Sequence, residues 1–271
     1  MNPAGDASAG PEALFVPHGD GWAPTELSRG PWDARSLHGG PVAALMVREL
    51  ERIEAAGQLR LARVTVELLR PVPLEPVLLT GSVVRPGRKI DLLEAELRLA
   101  ADGTRLALAR GLRIREAEVD FPDPGDAEIP ELPDRASAPA GTLPGAPIAY
   151  HSHGVEHRFL RGTFGLPGDM FDWTRLTVPV VPGEEPTPWQ RTVAVADFGN
   201  GLSALLPFDG TSLFVNPDLT VHLFREPVGE WIGLDASTRT SPTGVGLAET
   251  DLWDRTGRLG RGLQSLYLER Y

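Results

Sequence analysis

Apolar residues recur along this chain with two different periods. Between Trp32 and Glu54, Val42, Leu45, Met46, Leu50 and Ile53 return every three or four residues, which predicts one long helix with a buried face. Its start, His38-Gly39-Gly40-Pro41, lets the backbone approach a neighbour closely and leaves free N–H groups at the positive end of the helix dipole. Residues 62–69, 77–84, 90–100 and 105–115 read instead as strands. Turn residues separate them at Pro71-Val72-Pro73, Pro86-Gly87 and Asp102-Gly103, so a helix followed by an antiparallel meander is the expected unit. Residues 14–27 predict one or two short strands ahead of it, and residues 1–12, rich in Gly, Ala and Pro, a flexible tip.

Prolines and acidic residues over 116–148 oppose both helix and central strand and mark a linker. It divides the chain into units at 13–115 and 149–271. The second unit repeats the first in outline. The run from Thr65 to Val72 (TVELLRPV) reads against that from Thr220 to Val228 (TVHLFREPV), and the turn at Gly103 against that at Gly257, with nearly constant separation. Each half then carries a helix wrapped by an antiparallel sheet, and pairing of the two sheets would cover an edge that either alone would expose. The expected class is α+β, a fused pseudo-dimer.

Candidate chemistry concentrates in residues 195–224. Asp197 precedes a short helical run expected over 201–206, and Asn216-Pro217-Asp218 leads into a strand. Gln264 shares a strand face with Leu266 and Leu268 and so points to the core, where an amide needs partners. Asp197, Asn216 and Gln264 are expected to meet around one water. Opposite Asn216 and Gln264 in the repeat stand about Leu61 and Arg110, so the first half lacks this polar set. Each residue also has a plainer reading: Asp197 as a helix N-cap, Asn216 as a turn former, Gln264 as a backbone partner. Gly39 and Gly40 serve either an oxyanion or close helix packing. His151, His153 and His157 alternate as if on one strand face, with no acidic partner evident. Trp173, Trp189, Trp231 and Trp253 read as core or edge residues of the second sheet, some of them lining a tunnel. The basic turn from Arg85 to Lys89 reads as solvated.

With 271 residues, 41% of them hydrophobic, the chain can bury a substantial core. The absence of cysteine removes disulfides and thiolate nucleophiles together, and no Gly-x-Ser-x-Gly elbow is present. A net charge of −11 argues against nucleic acid as a partner. No basic stretch leads an apolar run and no eighteen apolar residues run together, so a cytoplasmic protein without membrane association is expected.

The HGG helix followed by RVTVELLRPV, the Pro-rich connection, and then VADFGNG, FVNPDLTVHLFREP and GRLGRGLQSLYLER in that order resemble the TesB-like acyl-CoA thioesterases, a double hotdog family. The resemblance covers nearly everything after about residue 13. It implies a hydrolase of lipid metabolism acting on fatty acyl-CoA, with no cofactor and no metal, and it allows a homo-oligomer. In that family an aspartate, a Thr or Ser, and a glutamine hold the nucleophilic water. The aspartate falls on Asp197 and the glutamine on Gln264. The hydroxyl position falls on Asn216, a departure, with Thr220 supplying the hydroxyl if the register differs. Asp197 would accept the water's proton or orient it, its pKa raised by partial burial. His38, Gly39 and Gly40 would contact substrate. Two other readings remain open: a non-catalytic acyl-binding double hotdog, and a hydratase, which would need a histidine beside Asp197.

Overall fold

The computed structural model describes residues 12–31, 33–122, 125, 128–137, 147–206 and 211–271. The tip expected over 1–12 lies, apart from residue 12, outside the described residues, as does part of the 116–148 linker.

In the first half, β1 (Phe15–His18) and β2 (Gly21–Pro24) precede α1 (Gly39–Arg52), which is followed by β3 (Leu59–Leu68), β4 (Val77–Arg85), β5 (Ile90–Leu99) and β6 (Arg105–Arg115). The second half has β7 (Val155–Arg161), β8 (Met170–Leu176), α2 (Pro188–Ala196), α3 (Gly199–Leu202) and β9 (Ser212–Val215). It ends with β10 (Asp218–Leu223), β11 (Trp231–Thr240), β12 (Val245–Asp254) and β13 (Gly257–Arg270). All pairings between these strands are antiparallel. Read outward from the centre, the orders β3-β6-β5-β4-β2-β1 and β10-β13-β12-β11-β8-β7 are the same pattern, and β9 adds to β13. The halves join where β3 pairs with β10, with Thr65 opposite Thr220, the two residues that head the sequence repeat. That pair therefore marks the pseudo-two-fold axis, and each half covers the other's sheet edge.

The helix α1 packs on β3, β4, β5 and β6, α2 packs on β8, β10 and β11, and the two helices pack against each other. From Gly40 to Arg48 every residue of α1 is buried, because α2 covers the flank that a surface helix would leave wet. Leu45, Met46 and Leu50 are wholly enclosed, each contributing about 1.5–3 kcal/mol. The charge of Arg48 is met by a two-pronged pair with Glu184 at 2.6 and 2.7 Å and by the ring of Trp22 beneath it.

Several sequence expectations change here. The helix expected over 201–206 is α3 at Gly199–Leu202, and the principal helix of the second half is α2, capped by Thr187 with Pro188 in its first turn. Asp197 is accordingly the C-cap of α2 and not an N-cap. His151 and His153 lie in a π-helical turn, Tyr150–Gly154, leaving His157 alone on β7. The turn forms because Tyr150 is drawn inward, its hydroxyl donating to the Ala194 carbonyl and its N–H to the Arg29 carbonyl. His157 does find an acidic partner, Asp172, at 2.5 Å. Trp189 belongs to α2 and not to the sheet.

The last hairpin of the second half is fixed by one buried carboxylate. Asp254 receives both ends of the Arg225 guanidinium at 2.6 and 2.8 Å, the N–H and hydroxyl of Thr256, and the N–H of Val228. Burial pushes its carboxyl pKa up, but these donors outweigh burial and bring it down to about 2. A folded-state value below the ordinary 3.8 means that the stabilisation is present above about pH 4 and is lost as pH falls toward 2. Asp254→Asn is therefore expected to lower the urea midpoint at pH 7, with the gap to the unaltered protein closing between about pH 4 and pH 2. A gap of equal size at both ends of that range would contradict the clamp.

Candidate functional site

The site forms at one end of the antiparallel α1–α2 pair, where the N-terminus of α1 lies beside the C-terminus of α2. Asp197 closes the C-terminus of α2, the negative end of a helix dipole and by itself a poor place for a carboxylate. The N-terminus of α1 points at the same carboxylate and supplies the opposite field. Gly39 makes the approach feasible, since a Cβ there would stand 2.7 Å from Asp197 Oδ2. A Cβ on Gly40 would collide with the Ala194 carbonyl, so close packing and site building are both realised at this glycine pair.

Four donors surround Asp197. His38 Nδ1 lies 2.8 Å from Oδ2, Asn216 Nδ2 donates to Oδ1 at 2.8 Å, Gln264 Nε2 reaches Oδ1 at 3.2 Å, and the Gly40 N–H adds a backbone bond. Gly40 N is also 3.1 Å from His38 Nδ1. Nδ1 cannot accept there and donate to Asp197 at once. With a carboxylate at 2.8 Å the proton belongs on Nδ1, which leaves the Gly40 N–H, lying between the two groups, with Asp197 as its acceptor. Burial pushes the Asp197 pKa up, but the charge and hydrogen bond of His38, then Asn216 and Gly40, bring it below its ordinary value. The raised value expected from partial burial is thus reversed, because the carboxylate is buried among donors and not among apolar groups.

Asp197, Asn216 and Gln264 do come together, bonded directly through Asp197 Oδ1. Gln264 is 1% exposed, and its Oε1 accepts the Asn200 N–H at 2.9 Å, so both ends of the amide are engaged. Thr220 stands apart. Its neighbours Leu219 and Val221 face the core, so its side chain takes the other face of the sheet and meets the Thr65 hydroxyl at 3.1 Å. Sequence reasoning gave His38 a minor part. Its ring is packed by those of Tyr150 and Phe198, at centroid distances of 5.1 and 4.9 Å, two side chains to which the sequence alone gives no role. Of the N–H groups around the starts of α1 and α3, those of Gly40, Phe198 and Asn200 have acceptors. For the Gly39 N–H none is found among the described residues.

His38, Asp197 and Asn216 open onto a cavity of about 750 Å³ whose walls are mostly apolar, among them Leu37, Val42, Leu68, Val72, Phe164 and Leu202. That size and character suit an acyl chain with a polar head held at the helix ends. Trp173, Trp189, Trp231 and Trp253 are not among its lining residues.

The first half shows the same fold without the site. Strand pairing sets Leu93 opposite Gly111 there and Ala248 opposite Gln264 here, so the counterpart of Gln264 is Gly111 and not Arg110. Counting twelve residues from the caps His38 and Thr187 reaches Leu50 and Gly199 respectively. A Cβ on Gly199 would lie 2.9 Å from Gln264 Oε1, and one on Gly111 would lie 3.2 Å from both Leu50 and Leu61. Leucines thus fill in one half the volume that the amides take in the other.

The acyl-CoA thioesterase N-terminal domain family matches residues 28–127, and the corresponding C-terminal domain family matches residues 126–268. Comparison with curated proteins finds no match. Among solved structures, a hot dog fold protein of unknown function from Alicyclobacillus acidocaldarius superposes with a TM-score of 0.71 at 16% identity, covering 96% of this chain and 97% of that one. The tesB protein of Mycobacterium avium subs paratuberculosis gives 0.65 at 18% identity, with 94% and 96% covered. An acyl-CoA thioesterase II from Mycobacterium marinum gives 0.64 at 14%, with 91% and 96% covered. At these identities the neighbours speak for the double hotdog fold, and the two domain matches, which together span residues 28–268, establish that the chain belongs to the acyl-CoA thioesterase family.

Proposed function

We propose that this protein hydrolyses fatty acyl-CoA thioesters with a water activated by the His38–Asp197 pair. The observation that carries the reading is the 2.8 Å contact between His38 Nδ1 and Asp197 Oδ2 at the head of an apolar cavity. With Nδ1 donating to Asp197, Nε2 of the neutral ring is the free base. It takes a proton from water as the water oxygen attacks the thioester carbonyl carbon. Asp197 stays ionised and stabilises the imidazolium. Its own oxygens are occupied by four donors, so it orients the ring and does not itself take the proton. The carbonyl oxygen, as it gains charge, is met by the Gly39 N–H at the positive end of α1. The C–S bond then breaks, the imidazolium returns its proton to the departing sulfur, and free acid and CoA leave. Asn216 and Gln264 hold the carboxylate in place.

A panel of acyl-CoA substrates assayed for thiol release tests this. Asp197→Asn and His38→Gln are each expected to lower kcat by about 10²–10⁴-fold. Full activity in either variant removes that residue from the mechanism. Saturable binding of acyl-CoA without release at any chain length would favour the non-catalytic binder. The His38–Asp197 contact also meets the geometric condition for a hydratase, and loss of enoyl-CoA absorbance that vanishes in His38→Gln would select that reaction instead.

Gly39→Ala offers a second check that leaves every polar group in place. Its methyl group is forced against Asp197, so kcat is expected to fall about a hundredfold while far-UV circular dichroism shows the fold retained. An undiminished kcat would show that the close approach of α1 plays no part in turnover.

A further inference from the structure

The duplication leaves one arginine without the partner its twin has. Arg70 and Arg225 each stand five residues beyond the paired threonines Thr65 and Thr220. Arg225 is fully engaged by Asp254 and by the carbonyls of Gly257 and Arg258. Asp254 opens a two-residue turn between β12 and β13 and caps the Thr256 N–H. The same Asp-x-Thr device recurs in the first half, where Asp102 accepts the Thr104 N–H at 2.9 Å. There, however, five residues join β5 to β6, and Asp102 is carried out into solvent. Arg70 is near enough for its charge to act on Asp102, yet no ion pair or hydrogen bond holds its guanidinium among the described residues. Its side chain is exposed, and it is the one arginine or lysine among the described residues that line the cavity of the candidate site.

We propose that Arg70 forms an anion subsite at the cavity mouth, binding a phosphate of the thiol carrier that delivers the acyl group. The proposal rests on the thioesterase reading for the identity of its ligand. A chain of net charge −11 repels a polyanionic substrate at long range, so a cation placed at the opening has a disproportionate effect on capture. A guanidinium with no internal acceptor presents its planar fork to a phosphate, which Arg225, with its donors taken, cannot do. Asp33 also borders the cavity, but its charge is already met by both prongs of Arg35 at 3.0 and 3.2 Å.

Steady-state kinetics at low salt, on the full chain, compare acyl-CoA with the same acyl group on pantetheine, which carries no phosphate. Arg70→Gln is expected to raise KM for acyl-CoA about tenfold with kcat unchanged, the size of one lost charge-assisted contact. Arg70→Lys is expected to recover part of the loss, and KM for acyl-pantetheine to be the same in all three proteins. Acyl-phosphopantetheine identifies the source. An effect that persists with it assigns the contact to the phosphate that a carrier protein would share, and an effect confined to acyl-CoA assigns it to the nucleotide phosphates. An unchanged KM for acyl-CoA, or an equal rise for acyl-pantetheine, overturns the subsite. If the unaltered protein releases no thiol, the thioesterase reading fails on its own account. Calorimetry with CoA then decides the subsite: binding about tenfold weaker in Arg70→Gln supports it, whereas equal affinity, or no binding to the unaltered protein, overturns it.

Discussion

A buried carboxylate at the negative end of one helix is tolerable here because a second helix aims its positive end at the same point. Without the N-terminus of α1, Asp197 would face the C-terminal carbonyls of α2 with side-chain donors alone. Burial raises its pKa, but the charge and hydrogen bond of His38, which caps α1, then the Asn216 amide and the Gly40 N–H, hold it below the ordinary carboxylate range. The meeting of helix ends in turn needs glycine at 39 and 40, and it needs the two sheets held at a fixed offset. The β3–β10 pairing supplies that offset, carrying both helices as one rigid layer.

Duplication explains how a polar site fits into a core built for leucine. The two halves exchange volume between equivalent positions, Leu50 and Gly111 in one, Gly199 and Gln264 in the other. Neither exchange is tolerable singly. A leucine at 199 would fall on Gln264, and a glutamine at 111 would sit among Leu50, Leu61 and Leu93 with no polar partner for its amide. One half therefore keeps an apolar core, and the other carries the buried hydrogen-bond network around Asp197 and Gln264.

Much of this was legible in the chain. The helix at α1 follows from the helical spacing of its large apolar residues, and β3, β5 and β6 from their alternation of buried and partly exposed positions, while the repeat points to the central strand pair. What escaped notice shares a cause. The second helix, PWQRTVAVA, has nine residues with Gln190, Arg191 and Thr192 in its middle, too short a run for the apolar period that reveals the fourteen residues of α1. Missing it turned Asp197 from a C-cap into an N-cap. The part played by His38 depends on which helix end lies opposite its ring, a tertiary fact with no local signature. The one-residue slip that set Gln264 against Arg110 reflects the unequal turns before β6 and β13, which shift the register of a strand without altering its pattern.

Asn216 replaces the hydroxyl that the family resemblance implies, and the geometry supplies a reason. Its amide nitrogen donates to Asp197 Oδ1 and also to the Asp218 carbonyl. A threonine or serine has one proton and could satisfy only one of these acceptors at a time. The two-donor amide therefore ties the β9–β10 link to the carboxylate and closes the last open position on Oδ1 beside Gln264. A carboxylate saturated in this way has little basicity left to offer a water molecule. Under the proposed mechanism, the substitution that departs from the family pattern leaves the imidazole that Asp197 orients, and not Asp197 itself, to accept the proton.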